Sequence, residues 1–151
     1  MINKDFKKAI KIITERLKKN RIKWAVIGST NLALQGMRIT PRDLDVVVTL
    51  SDLKNIPKIF SEYPASRIKK LKSITEEPAW EVKIEIGDVK VQILGEKESG
   101  EYVNKLLKSR ITYLEVDGIK VPCFTLETEA DAYSETNREE KAKLIKKFLK
   151  S

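Results

Sequence analysis

An α+β fold is predicted: a short mixed β-sheet with helices packed mainly on one face and helices at both ends of the chain. Three observations carry it. Trp80 to Ile86 and Val89 to Leu94 alternate in polarity around Gly87-Asp88, and Ile111 to Val116 and Ile119 to Phe124 do so around Asp117-Gly118. Two-residue turns of this kind close β-hairpins. Leu44 to Leu50 is an apolar, β-branched run, the pattern of a central strand. Phe6, Ile10, Ile13 and Leu17 recur at helical spacing near one end, and a second helical stretch closes the chain.

In order along the chain, the first helix covers about residues 3 to 19, with Lys7, Lys8, Lys11, Lys18 and Lys19 on its polar face. A strand, Ile22 to Ile27, ends at Gly28. Ser29 occupies the place of a helix N-cap before Asn31-Leu32-Ala33-Leu34-Gln35, and Gly36 stops that helix. Pro41 lies in the loop before the Leu44 strand. Ser51 to Tyr63 reads as a helix with Pro57 in an early turn, where proline is tolerated. Ser66 to Ile74 reads as a basic edge strand or loop, and Ser99 to Ser109 as a helix. From Leu126 the chain is helical with a break near Thr136, after which Asn137 and Glu140 have the spacing of an N-cap and its box partner. The 151 residues contain no repeat, low-complexity tract or linker, so residues 1–151 are expected to form one domain.

Composition excludes whole classes of chemistry. There is no histidine, hence no Ser-His-Asp or Cys-His nucleophile and no His-ligated metal. Cys123 is the one cysteine, so an internal disulfide and a cysteine zinc site are absent; between Pro122 and Phe124 it reads as a small buried hydrophobe. What remains is Asp, Glu, Lys, Ser and Thr, with a hard divalent cation as their natural partner. No apolar run nears the roughly 20 residues of a membrane helix, and the first residues lack a signal-peptide core. A reduced, cytoplasmic protein that does not engage a membrane is expected. The net charge of +8 attracts phosphate-bearing partners, although a Lys/Glu-rich solvated surface explains the bulk of it.

The segment from Trp24 to Val48 concentrates the chemistry. Gly28-Ser29 closes a strand and opens a helix, a place where backbone N–H groups and a hydroxyl suit phosphate. Asp43 and Asp45 are two apart on a strand, so both carboxylates share one face while Leu44 and Val46 take the other. Paired carboxylates repel unless a cation lies between them. A phosphate cradle followed by such a pair is what metal-dependent phosphoryl transfer requires.

This segment resembles the nucleotidyltransferase-fold superfamily, whose signature is an apolar strand, G-S or G-G, a short helix, then D-x-D on the next strand. Here Gly28-Ser29 is followed, after thirteen residues, by Asp43-Leu44-Asp45. The likeness is greatest to small single-domain bacterial and archaeal members, including the type related to abortive-infection proteins. It implies that Gly28 and Ser29 hold nucleotide phosphates and that Asp43 and Asp45 bind Mg²⁺ or Mn²⁺. The implied reaction moves an NMP group from an NTP to a hydroxyl acceptor, with small molecule, RNA and protein all open as the acceptor.

One position departs from the pattern. The superfamily's third carboxylate falls at Gln92, within Val89-Lys90-Val91-Gln92-Ile93-Leu94. An amide offers a cation an oxygen but cannot act as a general base. A two-residue turn at Gly87-Asp88 places Lys83 opposite Gln92 and Glu85 opposite Lys90. Lys83 is then placed to bind phosphate or to stand in for metal charge, and Glu81 and Glu85 are the nearby substitutes for the missing carboxylate. The alternative function is a nucleotide-binding or interaction protein of the same fold that has lost turnover. A nucleic-acid-binding module is a third reading, without the aromatic stripe typical of single-strand readers. Arg67, Lys69, Lys70 and Lys72 read as a solvated basic run, Trp24 and Trp80 as packing, and Tyr133 and Arg138 as surface residues.

Overall fold

The computed structural model describes residues 2–71, 79–96 and 110–151. Its elements run α1 (Lys4–Lys19), β1 (Ala25–Ile27), α2 (Gly28–Leu34), β2 (Leu44–Thr49), α3 (Leu50–Leu53), α4 (Ile56–Ile59), β3 (Lys69–Leu71), β4 (Ala79–Ile86), β5 (Val89–Glu96), β6 (Ile111–Val116), β7 (Ile119–Phe124), α5 (Leu126–Glu135) and α6 (Glu139–Lys150). The seven strands form one sheet in the order β3-β4-β5-β2-β1-β7-β6. It is mixed: β2 pairs with β5 and β1 with β7 in parallel, and the other neighbours are antiparallel. The helix expected over 99–109, and the 72–74 part of the basic segment, lie outside the described residues.

Alternation along the strands divides the sheet into two faces. Val26, Leu44, Val46, Val48, Val82, Ile84, Val91 and Ile93 point into the main core, where Ile10, Ile13 and Leu17 of α1 and Leu53, Ile56 and Phe60 of the α3–α4 segment meet them. A second cluster joins Leu32 of α2 to Leu126, Ala130 and Tyr133 of α5 and Ala142 and Ile145 of α6. On the side of the sheet away from the main core, Ala25, Val47 and Phe124 make a small apolar patch. The α+β architecture and both hairpins are as predicted. Asp117 and Gly118 both have positive φ, 48° and 83°, as a type I′ turn requires.

Several local expectations are corrected, each for a reason in the backbone. Ile22 is not in the first strand: its N–H bonds Leu17 O at 3.0 Å, and Arg21 before it has φ 56°. This left-handed closure of α1 uses Ile22 as its apolar latch, so β1 starts at Ala25. Asn137 is not an N-cap. With φ 61°, it ends α5 in the same manner, and Arg138 N–H returns to Tyr133 O at 2.7 Å. Ser29 is not an N-cap either, because α2 begins at Gly28 after Ile27, with no side-chain cap. The 51–63 helix is two short helices, with Pro57 in the first turn of α4, where its missing N–H costs nothing. Of the basic segment, Lys69 to Leu71 is an edge strand on β4. Tyr133 is not a surface residue, being 8% exposed within the second cluster.

Candidate active site

The β2–β1 and β2–β5 pairings assemble the candidate residues. Asp45 lies between Ile27 of β1 and Gln92 of β5, and Lys83 of β4 lies across from Gln92. Residues paired in register share a face. Asp45, Gln92 and Lys83 therefore form one row, and Glu81, Glu85 and Lys90 lie on the same face. Asp43 precedes β2 and is tied to α2 through its carbonyl, which accepts from Thr30 Oγ1 at 2.8 Å. The turn that brings α2 back onto β2 needs glycine at its start. Gly28 has φ 72°, and a Cβ there would lie 2.8 Å from Asp45 Oδ2. The missing side chain thus makes room for a carboxylate of the chain itself.

Asp45 is the electrostatic centre of the site. Burial pushes its carboxyl up to about 6, and the charge of Asp43 pushes the same way, while Lys141 and Arg138 pull it down. Its Oδ1 is the one buried side-chain polar atom without a hydrogen-bond partner among the described residues. A buried, unpaired carboxylate oxygen beside a second carboxylate is costly alone and favourable around a cation. Asp43, Asp45 and the Gln92 amide oxygen therefore fit a hard divalent ion. No group of three Asp, Glu or Cys side chains is already gathered as a metal cage among the described residues.

Gln92 is held from behind. Its Nε2 donates to Glu81 Oε2, while Lys83 Nζ lies 3.9 Å from Glu81 Oε1. Glu81 is 7% exposed, so its charge is met by an amide and a lysine rather than by water. Glu85 is exposed on the outer part of β4. Lys83 stands three strand spacings, roughly 14 Å, from Gly28. A groove of about 410 Å³ opens beside Asp43 and is lined by Ser66, Lys83, Glu85, Lys90 and Gln92.

Sequence reasoning missed Glu129 and Lys141. Glu129 of α5 is 3% exposed, and its Oε2 accepts the Gly28 N–H at 2.9 Å. Burial pushes its carboxyl up to about 8, outweighing the Gly28 hydrogen bond that pulls it down; Asp45 adds to the rise. The signal was present, since Leu126, Glu129, Ala130 and Tyr133 follow helical spacing and put one carboxyl on an apolar stripe. Lys141 Nζ and the Arg138 guanidinium lie 5.2 and 5.3 Å from the centre of the Tyr133 ring. Burial raises the Tyr133 hydroxyl to about 12. With its carboxyl raised in this way, Glu129 favours its neutral form and offsets little of the positive field that these two cations set near Asp45. The half-buried Ser29 hydroxyl has no partner among the described residues.

The family model described as aminoglycoside-2''-adenylyltransferase matches residues 9–147. The chain belongs to this nucleotidyltransferase family. A candidate nucleotidyltransferase from Thermotoga maritima is 30% identical and superimposes with a TM-score of 0.73, covering 99% of this chain and 96% of that one. The antibiotic-resistance factor ANT(2'')-Ia shares the fold. Its solution structure is 13% identical with a TM-score of 0.61, covering 98% of this chain and 86% of that one. Its crystal structure with adenylyl-2''-tobramycin is 11% identical with a TM-score of 0.55, covering 92% and 93%. A comparison with curated proteins finds no match. Among the described residues, no helix is long and apolar enough to cross a membrane.

Proposed function

We propose that this family member transfers a nucleoside monophosphate from an NTP to a hydroxyl acceptor, with Asp43 and Asp45 holding Mg²⁺ or Mn²⁺. The observation that carries the reading is the orphaned, buried Oδ1 of Asp45 beside Asp43, in a chain of this family. A neighbour solved with an adenylylated acceptor supports the reaction class. When bound, the cation neutralises phosphate charge and favours in-line displacement at the α-phosphorus.

The chain's own groups do the rest. Ser29 offers its hydroxyl to the phosphates; the Gly28 N–H is already committed to Glu129, so glycine serves by shape. Arg138 and Lys141 supply positive charge to the polyphosphate. The acceptor lies in the groove beside Asp43, and its hydroxyl oxygen bonds to the α-phosphorus as the bond to the bridging oxygen breaks and pyrophosphate leaves. Gln92 accepts no proton, so the hydroxyl proton passes to water at the groove mouth. A neutral amide at the place of the third carboxylate favours a second reading, a nucleotide-binding protein without turnover.

The site is tested by melting the protein with each NTP and Mg²⁺ or Mn²⁺. Wild type is expected to gain stability, and Asp43→Asn with Asp45→Asn to gain none while folding normally. A retained gain in the double variant refutes the site. Labelled NTP with cell extract then separates the readings: label transferred to an acceptor supports the enzyme, whereas binding with no transfer to any acceptor supports the binding protein.

A further inference from the structure

Resting on the transfer reading, we propose that the groove beside Asp43 accepts a hydroxyl compound that carries a phosphate, recognised by Lys83 and Lys90. The argument is one of charge and register. Lys83 pairs with Gln92 and Lys90 with Glu85, so the two lysines are diagonal neighbours on one face, roughly 7–8 Å apart at the backbone. Flexible ammonium groups at that spacing converge on a single phosphate. Both lysines are exposed. Lys83 has only a long contact to buried Glu81, at 3.9 Å, and Lys90 has no ion pair among the described residues.

Among the described residues that line the groove, Glu85 is the carboxylate set beside these two cations, Asp43 belongs to the reacting end, and Glu81 lies buried behind Lys83. The positive surface continues outward. Lys69 pairs with Glu81 on this same face, and Arg67 is exposed just before it in the chain, whereas Lys70 pairs with Trp80 and turns to the other face. A polyamine such as tobramycin meets the wrong sign here. A phosphate held by these two lysines would keep a neighbouring hydroxyl near the Asp43 end of the groove. The phosphate can come from a small sugar phosphate or from the end of an oligoribonucleotide.

The test measures binding of a fluorescent oligoribonucleotide, competed by ribose 5-phosphate or ribose, at fixed moderate salt. Wild type is expected to bind the probe, to release it to ribose 5-phosphate and to ignore ribose. Lys90→Glu should weaken probe binding about tenfold or more, with Lys90→Arg retaining it. Lys8→Glu, on the exposed face of α1, changes net charge equally and should leave binding unchanged, which separates the groove from the overall +8. Melting curves confirm that each variant is folded, and Lys90→Gln replaces Lys90→Glu if that variant is not. Equal loss in the Lys90 and Lys8 variants, no loss in Lys90→Glu, release by ribose, or no binding by wild type each overturns the proposal. Competition by ribose 5-phosphate near the probe's own affinity identifies a small phosphate compound; competition more than about a hundredfold weaker identifies the polynucleotide. The NTP–metal melting shift is read in parallel. Groove binding without that shift would sink the donor site while sparing the groove.

Discussion

Gly28→Ala exposes the packing at the heart of the site. Alanine at φ 72° meets the left-handed penalty of roughly 1–2 kcal/mol, offset by about 0.4–1 kcal/mol from its stiffer unfolded chain. The new Cβ would also lie 2.8 Å from Asp45 Oδ2, the tip of a largely buried side chain that has to give way. Overpacking of this kind adds about 1–3 kcal/mol. The expected loss is therefore about 2–4 kcal/mol in urea unfolding at pH 7 without added metal. Asp45→Ala removes the colliding group, so Gly28→Ala in that background should cost only about 1 kcal/mol, a coupling of about 1–3 kcal/mol. Asp45→Ala by itself should be neutral or stabilising, since it removes a buried oxygen without a partner. Equal costs of Gly28→Ala in both backgrounds would show that the carboxylate does not press on this glycine.

Two further outcomes follow from the carboxyl groups. Glu129, raised to about 8 from its usual 4.5, keeps its proton in the folded chain while the unfolded chain releases it, so its contribution to stability is full below pH 4.5 and falls as pH rises to 8. Asp45, raised to about 6, adds a fall between pH 3.8 and 6. Metal-free protein should lose up to about 5 kcal/mol between pH 5 and 8, and Glu129→Gln most of that slope; an unchanged slope in the variant would place the titration elsewhere. Gln92→Glu sets a carboxylate against Glu81 in place of an amide donor and should cost about 1–3 kcal/mol. Combining it with Glu81→Gln exchanges donor and acceptor, and should recover most of the loss, tighten Mn²⁺ binding and raise transfer by roughly 10²–10⁴-fold if a positioned base is what the native site lacks. A single variant as stable as wild type would contradict the Glu81–Gln92 contact.

Local patterns in the chain determined the elements, because strand alternation, helical period and turn residues are short-range consequences of backbone geometry. They determined that Asp45 faces away from Leu44 and Val46 and that Lys83 opposes Gln92, whereas Asp43, expected on the same strand, lies in the bend before it. Where two turn chemistries compete, local reading failed: Arg21 and Asn137 close helices in left-handed conformations, and only the hydrogen bonds from Ile22 and Arg138 reveal it. The strand order belongs to the tertiary structure, since no local pattern sets β5 and β1 on either side of β2. That order leaves Asp45 Oδ1 buried and places Glu81 behind Gln92. Packing of α5 and α6 brings Glu129 onto the Gly28 N–H across 101 positions of sequence, and Lys141 and Arg138 into the field of Asp45. Such partners are chosen by which surfaces bury one another, so the chain carries them as composition, and the folded core decides which of them meet.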